Sequence, residues 1–193
     1  MCCQKLDQAL PENLQKIIFD IKFCLHQKSK IVLNPCDVII IMKEGDVAPD
    51  FELSANDGSV IKIDTFKGRK NIVLCFYPKN HLFACPSKKI FKMAEATILA
   101  YPIITSLNAE LFAISIDTVE DQKKFVEEYK VPYKHLSDTN KMVSKEYAGL
   151  NLAGLAKRST FIIDKEGKIV KIFRDVKVES HGQEIIDVLQ SLK

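Results

Sequence analysis

The sequence predicts an α/β layered domain, and three observations predict it. Apolar runs of strand length at 72–77 and 111–116 read as strands covered on both faces of a mostly parallel sheet. They alternate with stretches whose apolar residues recur at helical spacing. Turn signals, Asn56-Asp57-Gly58 and Asp164-Lys165-Glu166-Gly167, punctuate the alternation. A chain of 193 residues, 47% apolar and 27% charged, is long enough for one cored domain, or one domain plus an appendage.

Residues 1 to about 42 differ in texture from the rest. Leu14, Ile17, Ile18, Ile21 and Leu25 recur at helical spacing, so 11–25 reads as a helix with Glu12 in its first turn, where the macrodipole favours an acid. The pattern then fails over 28–37, and Val38 to Ile41 either pairs with a sheet edge or has no structural role. Met42-Lys43-Glu44-Gly45 reads as a fresh beginning, which makes 1–42 an extension or the product of a misplaced start. The domain is expected over 43–193.

Within it, 51–53 and 60–63 flank Asn56-Asp57-Gly58 as a hairpin whose turn needs positive φ. The strand at 72–77 precedes a helix from Pro86 to about Ala100, which Pro102 is expected to break. After the strand at 111–116, Thr118 with Asp121 three residues on predicts a capped helix over 119–129. A weak strand around His135 and Leu136 and a short helix over 140–147 follow. Strands at 160–163 and 169–173 flank the second turn. Ser180-His181-Gly182-Gln183 has the form of a capping box opening a last helix over 183–192.

Composition excludes several classes. No apolar run approaches the ~18 residues of a spanning helix, and no secretory leader opens the chain, so a cytoplasmic protein is expected. A net charge of +3 without a basic block gives nucleic-acid binding no support. The six cysteines, Cys2, Cys3, Cys24, Cys36, Cys75 and Cys85, form no CxxC pair and no Cys/His ligand spacing, so neither metal nor dithiol chemistry is expected, and no cofactor.

The informative segment runs from Cys75 to Ser87. A buried strand ends at Tyr77, a loop crosses the end of the sheet, and Pro86 suits the first position of a helix. Cys85 thus occupies the N-cap, where unpaired N–H groups and the positive end of the macrodipole favour thiolate over thiol. A free thiol is only ~3% ionised at pH 7. Making it mostly ionised takes about 3 kcal/mol, more than a helix end usually provides, so a fixed cation is needed. Arg158, just before the strand at 160, is the candidate. Alone, Cys85 would read as a small packed hydrophobe and Arg158 as a solvated surface residue; their neighbours reverse that.

On these residues the sequence resembles the peroxiredoxins. Pro78, Cys85 and Arg158 fall where that family carries its Pro-x-x-x-Thr-x-x-Cys loop and partnering arginine, and Phe83-Ala84-Cys85-Pro86-Ser87 is similar to its Phe-Val-Cys-Pro-Thr stretch. Segments 45–51, 76–79, 136–138, 158–164 and 176–181 resemble the peroxiredoxin Q group, the bacterioferritin comigratory proteins. The resemblance covers about 43–193. It implies a thioredoxin-like fold, a central mixed sheet with helices on both faces, and thiol-dependent reduction of hydrogen peroxide and organic hydroperoxides. Cys85 would be the peroxidatic nucleophile, Arg158 would stabilise thiolate and peroxide, and Pro78 would shield the loop. Thioredoxin or another thiol would be the reductant, and the protein would act as a monomer or weak homodimer.

The pattern is broken in places. Leu82 stands where the family has a threonine whose hydroxyl bonds the peroxide, and losing one positioned donor costs about 10² to 10³ in rate. Lys88 replaces a glutamate that would orient the arginine. Ile90 stands where many relatives place a resolving cysteine, and Cys75 reads as inert core, so a one-cysteine cycle is expected. Leu82 and Lys88 also favour the alternative of a thioredoxin-fold redox sensor or interaction protein with impaired peroxidase activity. His181 matches a family position, though capping and packing explain it more simply.

Overall fold

The computed structural model describes residues 32–34, 37–39, 42–80, 88–174, 176 and 179–192. The expected helix at 11–25, and Cys2, Cys3, Cys24 and Cys36, lie outside these residues. The chain divides into two compact units, Met1–Ile41 and Met42–Lys193. In the first, β1 (Val32–Asn34) and β2 (Asp37–Ile39) pair antiparallel. Val38 and Ile39, from the apolar run expected at 38–41, therefore pair with β1 in a two-stranded sheet.

The second unit is built on seven strands: β3 (Glu52–Ala55), β4 (Val60–Lys62), β5 (Asn71–Phe76), β6 (Ala109–Ser115), β7 (Lys134–Ser137), β8 (Ser159–Ile163) and β9 (Ile169–Phe173). They lie in the order β4-β3-β7-β6-β5-β8-β9, with β5, β6 and β7 parallel and the others antiparallel to their neighbours. All six residues of β5 are buried, as a strand central to such a sheet requires. The hairpin at 56–58 forms with Gly58 at φ +83°.

The period of two sends successive side chains to opposite faces and builds two cores. Val73, Cys75 and Tyr77 join Leu111 and Ala113 on one face, under α1 (Lys88–Ser106), α2 (Val119–Tyr129) and α4 (His181–Gln190). Ile72, Leu74 and Phe76 join Phe112, Ile114 and Phe161 on the other, under α3 (Met142–Tyr147) through Val143 and Tyr147. This is the expected mixed sheet with helices on both faces. No helix among the described residues is long and apolar enough to cross a membrane.

Two local expectations are corrected. Pro102 does not end its helix; α1 continues to Ser106. Ala94, Ala100 and Ile104 are buried against the sheet while Pro102 faces solvent, so core packing offsets the lost backbone bond. Thr105 and Ser106 hydroxyls donate to carbonyls of the last turns. The capping box at Ser180 does not form either. Ser180 already has helical backbone angles (φ −101°, ψ −6°), which aim its hydroxyl away from the amides, and its Oγ donates to Glu184 Oε1 at 2.9 Å. As a result α4 begins at His181. The cap at Thr118 forms as expected, its Oγ1 accepting from the Asp121 N–H at 3.2 Å.

Gly182 lets α4 approach α1 at backbone range. A Cβ there would lie 2.7 Å from the Ala96 carbonyl oxygen and 3.0 Å from Ala100 Cβ.

Candidate active site

The predicted nucleophile Cys85, with Leu82 and Pro86, lies outside the described residues. What the structure describes is the chain before and after it, the end of β5 with Tyr77 to Asn80 and the body of α1, together with Arg158 just before β8.

The loop leaving β5 is fastened at Asn80. Its backbone N–H donates to Asp117 Oδ2 at 2.8 Å, and the same oxygen accepts from Ser115 Oγ at 2.6 Å. Both acceptor and donors are buried, so this hold is screened little by solvent. The half-buried Pro78 sits between Tyr77 and that anchor.

Tyr77 turns its hydroxyl into a buried cluster beneath the loop. The oxygen lies 2.8 Å from Asn80 Oδ1, 2.7 Å from Gln122 Oε1 and 2.9 Å from His135 Nδ1. Gln122 Nε2 donates to Ser115 Oγ and to the Leu136 carbonyl, which can only accept; this orients the amide and leaves Oε1 facing Asn80 Nδ2 at 3.1 Å and His135 Nδ1 at 3.0 Å. Since Oε1 can only accept, the proton of His135 belongs on Nδ1, and Nε2 keeps its lone pair. Tyr133, Phe125 and Tyr77 surround the imidazole with ring centroids 5.4–5.7 Å away. Burial there pushes His135 down to about 3, so it stays neutral.

A cavity of about 30 Å³ lies on this face of the sheet. Its walls include Cys75 and Tyr77 from the β5 segment, Ala94 and Thr97 from α1, His135 from β7, and Arg158. Arg158 Nε is buried with no hydrogen-bond partner among the described residues. Cys75, 3% exposed, accepts a long 3.6 Å contact from Thr160 Oγ1, and burial pushes its thiol up to about 12. Such a thiol is not ionised at neutral pH, in accord with inert core. His181 is fully buried with Nε2 2.8 Å from Thr160 Oγ1, a packing role.

Arg158 thus shares a cavity with residues of the β5 segment and of α1, which precede and follow Cys85 in the chain, while Pro78 lies in the loop directly after β5. Sequence reasoning missed Asn80, Gln122 and His135, which stand on a loop, a helix and a strand and share no local pattern.

Comparison with known proteins gives this frame its family. The model of the AhpC/TSA family matches residues 44–172. Peroxiredoxin Bcp of Bacillus subtilis is 34% identical over 163 residues, 77% of this chain and 94% of that protein. Chloroplastic peroxiredoxin Q of Sedum lineare is 33% identical over 192 residues, 96% of this chain and all of that protein. The crystal structure of peroxidoxin BcpB from Mycobacterium tuberculosis superposes with a TM-score of 0.70 at 27% identity, covering 79% of this chain and 99% of that one. The resemblance carried by the loop and arginine motifs is borne out, and the chain belongs to the AhpC/TSA family of peroxiredoxins, thiol-dependent peroxidases.

Proposed function

We propose that Cys85 is the peroxidatic nucleophile, that Arg158 stabilises its thiolate and the bound peroxide, and that Pro78 shields the loop they share. The observation that carries this reading is that Arg158, whose buried Nε has no hydrogen-bond partner among the described residues, lines a cavity walled by the β5 segment and α1, the elements before and after Cys85 in the chain. A guanidinium never loses its charge, and beside a helix N-terminus it supplies the stabilisation a dipole alone lacks.

In the proposed step the Cys85 sulfur attacks the terminal oxygen of a hydroperoxide. A sulfur–oxygen bond forms, the oxygen–oxygen bond breaks, and the departing oxygen takes a proton and leaves as water or an alcohol. Two electrons pass from sulfur to peroxide, leaving a sulfenic acid. A thiol then attacks that sulfur and releases water, and a second thiol cleaves the mixed disulfide and regenerates the thiolate. Cys75, buried and protonated, is unsuited to resolve it, which supports a one-cysteine cycle with thioredoxin or another external thiol as donor. We place the activity in the cytoplasm, on a monomer or weak homodimer acting on small peroxides without nucleic acid or membrane.

A peroxide-consumption assay coupled to thioredoxin and its reductase, with wild type and Cys85→Ser, tests the reading. Turnover in wild type that disappears in the variant is expected. Absence of turnover in both would favour the redox-sensor alternative to which Leu82 and Lys88 point.

A further inference from the structure

Two residues that line the cavity each carry a buried polar atom without a partner among the described residues: Arg158 Nε, which carries a proton, and His135 Nε2, which carries a lone pair. The second assignment follows from the Gln122 contact, which places the imidazole proton on Nδ1. A buried donor and a buried acceptor each carry a desolvation penalty when left unmade. A cavity of about 30 Å³ takes one water-sized molecule, and such a molecule needs at least two polar partners to be held. Among the described residues the walls are otherwise apolar or engaged: Thr97 Oγ1 donates to the Ala94 carbonyl and meets the Tyr133 hydroxyl at 2.7 Å.

We propose that this cavity is a binding site for one small molecule that both accepts and donates a hydrogen bond, water being the everyday occupant, and that through it His135 positions the Arg158 guanidinium. The occupant accepts from Arg158 Nε–H and donates to His135 Nε2. His135 is thereby a positioning residue that takes the place of a carboxylate partner, since no carboxylate pairs with Arg158 among the described residues. Because the imidazole is held neutral by its aromatic cage, the lone pair is available across the working pH range. The consequence for catalysis rests on the reading of Arg158 given above; the bridge itself does not.

Two isosteres separate the ring's two edges. His135→Asn keeps a nitrogen donor near the Nδ1 position, toward Gln122 and Tyr77, and removes Nε2. His135→Gln sets an amide oxygen near the Nε2 position and gives up the Nδ1 contacts. The expected result is a loss of about tenfold in kcat/KM for peroxide in His135→Asn, with the pH midpoint of Cys85 alkylation moved upward, and retention within about threefold in His135→Gln. The reverse order, with Asn active and Gln impaired, would make His135 a purely structural member of its network and overturn the proposal. A high-resolution crystal structure is expected to show one density peak within about 3.2 Å of both Arg158 Nε and His135 Nε2, and nitrogen NMR a protonated Nδ1. A protonated Nε2, or no peak, overturns the bridge. If wild type shows no peroxide turnover, the catalytic reading falls while the density and the tautomer still decide the bridge.

Discussion

The Asn80 backbone N–H donates to Asp117 Oδ2 at 2.8 Å, tying the loop that leaves β5 to the end of the neighbouring parallel strand β6. The pair spans 37 residues of sequence and is buried on both sides. It fixes the chain five residues before Cys85 at a place set by the sheet rather than by the loop. If Cys85 is the nucleophile, as proposed above, a bond that holds the chain nearby to the sheet gives a loop-borne sulfur the precision it would otherwise lack.

Asp117→Ala leaves the Asn80 N–H and the Ser115 hydroxyl without their buried acceptor, at about 1–3 kcal/mol for each. The expected outcome is a fall in unfolding free energy of about 2–4 kcal/mol in a urea titration. On the proposed role of Cys85, peroxide kcat/KM measured below the transition should drop by about tenfold to a hundredfold, because the segment leading to it is no longer held to the sheet.

Gly182→Ala tests the crossing of α1 and α4. The new Cβ meets the Ala96 carbonyl oxygen at 2.7 Å, and a backbone atom of a packed helix cannot step aside as a flexible side chain would. Alanine's better helix propensity, about 1 kcal/mol, works in the other direction. Overpacking of this kind costs about 1–3 kcal/mol, so a net destabilisation of about 0.5–2 kcal/mol is expected by thermal or urea unfolding. An unchanged or raised midpoint would show that the helices can separate freely.

How much of this was legible in the sequence divides along a physical line. The runs at 72–77 and 111–116, the turn at Gly58 and the Thr118 cap depend on neighbours within a few residues, and each formed where local pattern placed it. Pro102 and Ser180 were misread because what decides them is non-local: the core face of α1, and the entry angle of α4 with Glu184 within reach. In the candidate site, the loop and arginine motifs were readable as a linear pattern. The Tyr77–Gln122–His135 cluster was not, because it joins three elements up to 58 residues apart and no single segment carries it.

Stability toward acid should carry the signature of His135. Burial depresses its folded value to about 3, and burial also lowers His181, against an ordinary value near 6.5. As pH falls below 6.5 the unfolded chain takes up protons that the folded chain does not, so the contribution is present above that pH and is lost below it. For His135 alone the loss by pH 5 is about 2 kcal/mol, before most carboxylates titrate. Urea unfolding at pH 7 and pH 5 should therefore show a smaller acid-induced loss in His135→Asn than in wild type, by about that amount. Equal losses would mean that the imidazole becomes protonated inside the fold.

Alkaline conditions give the complementary test through Cys75. Burial raises its thiol from an ordinary value of 9.0 to about 12. Above pH 9 the unfolded chain surrenders this proton while the folded chain keeps it, so the stabilisation is complete below pH 9 and is lost as pH climbs toward 12. Between pH 9 and pH 10 the loss is about 1 kcal/mol, in a window that ends where unfolded tyrosines begin to titrate. Cys75→Ala removes the group and should show a flatter stability profile over that interval, on top of a uniform cost of about 1–2 kcal/mol for the space left in a packed core. The same burial predicts that native Cys75 resists alkylation at pH 8 on a timescale of hours and reacts only when urea opens the domain. Rapid labelling of folded protein at this position, read by peptide mass mapping, would show that the cavity beside it admits reagent and that the thiol ionises in place.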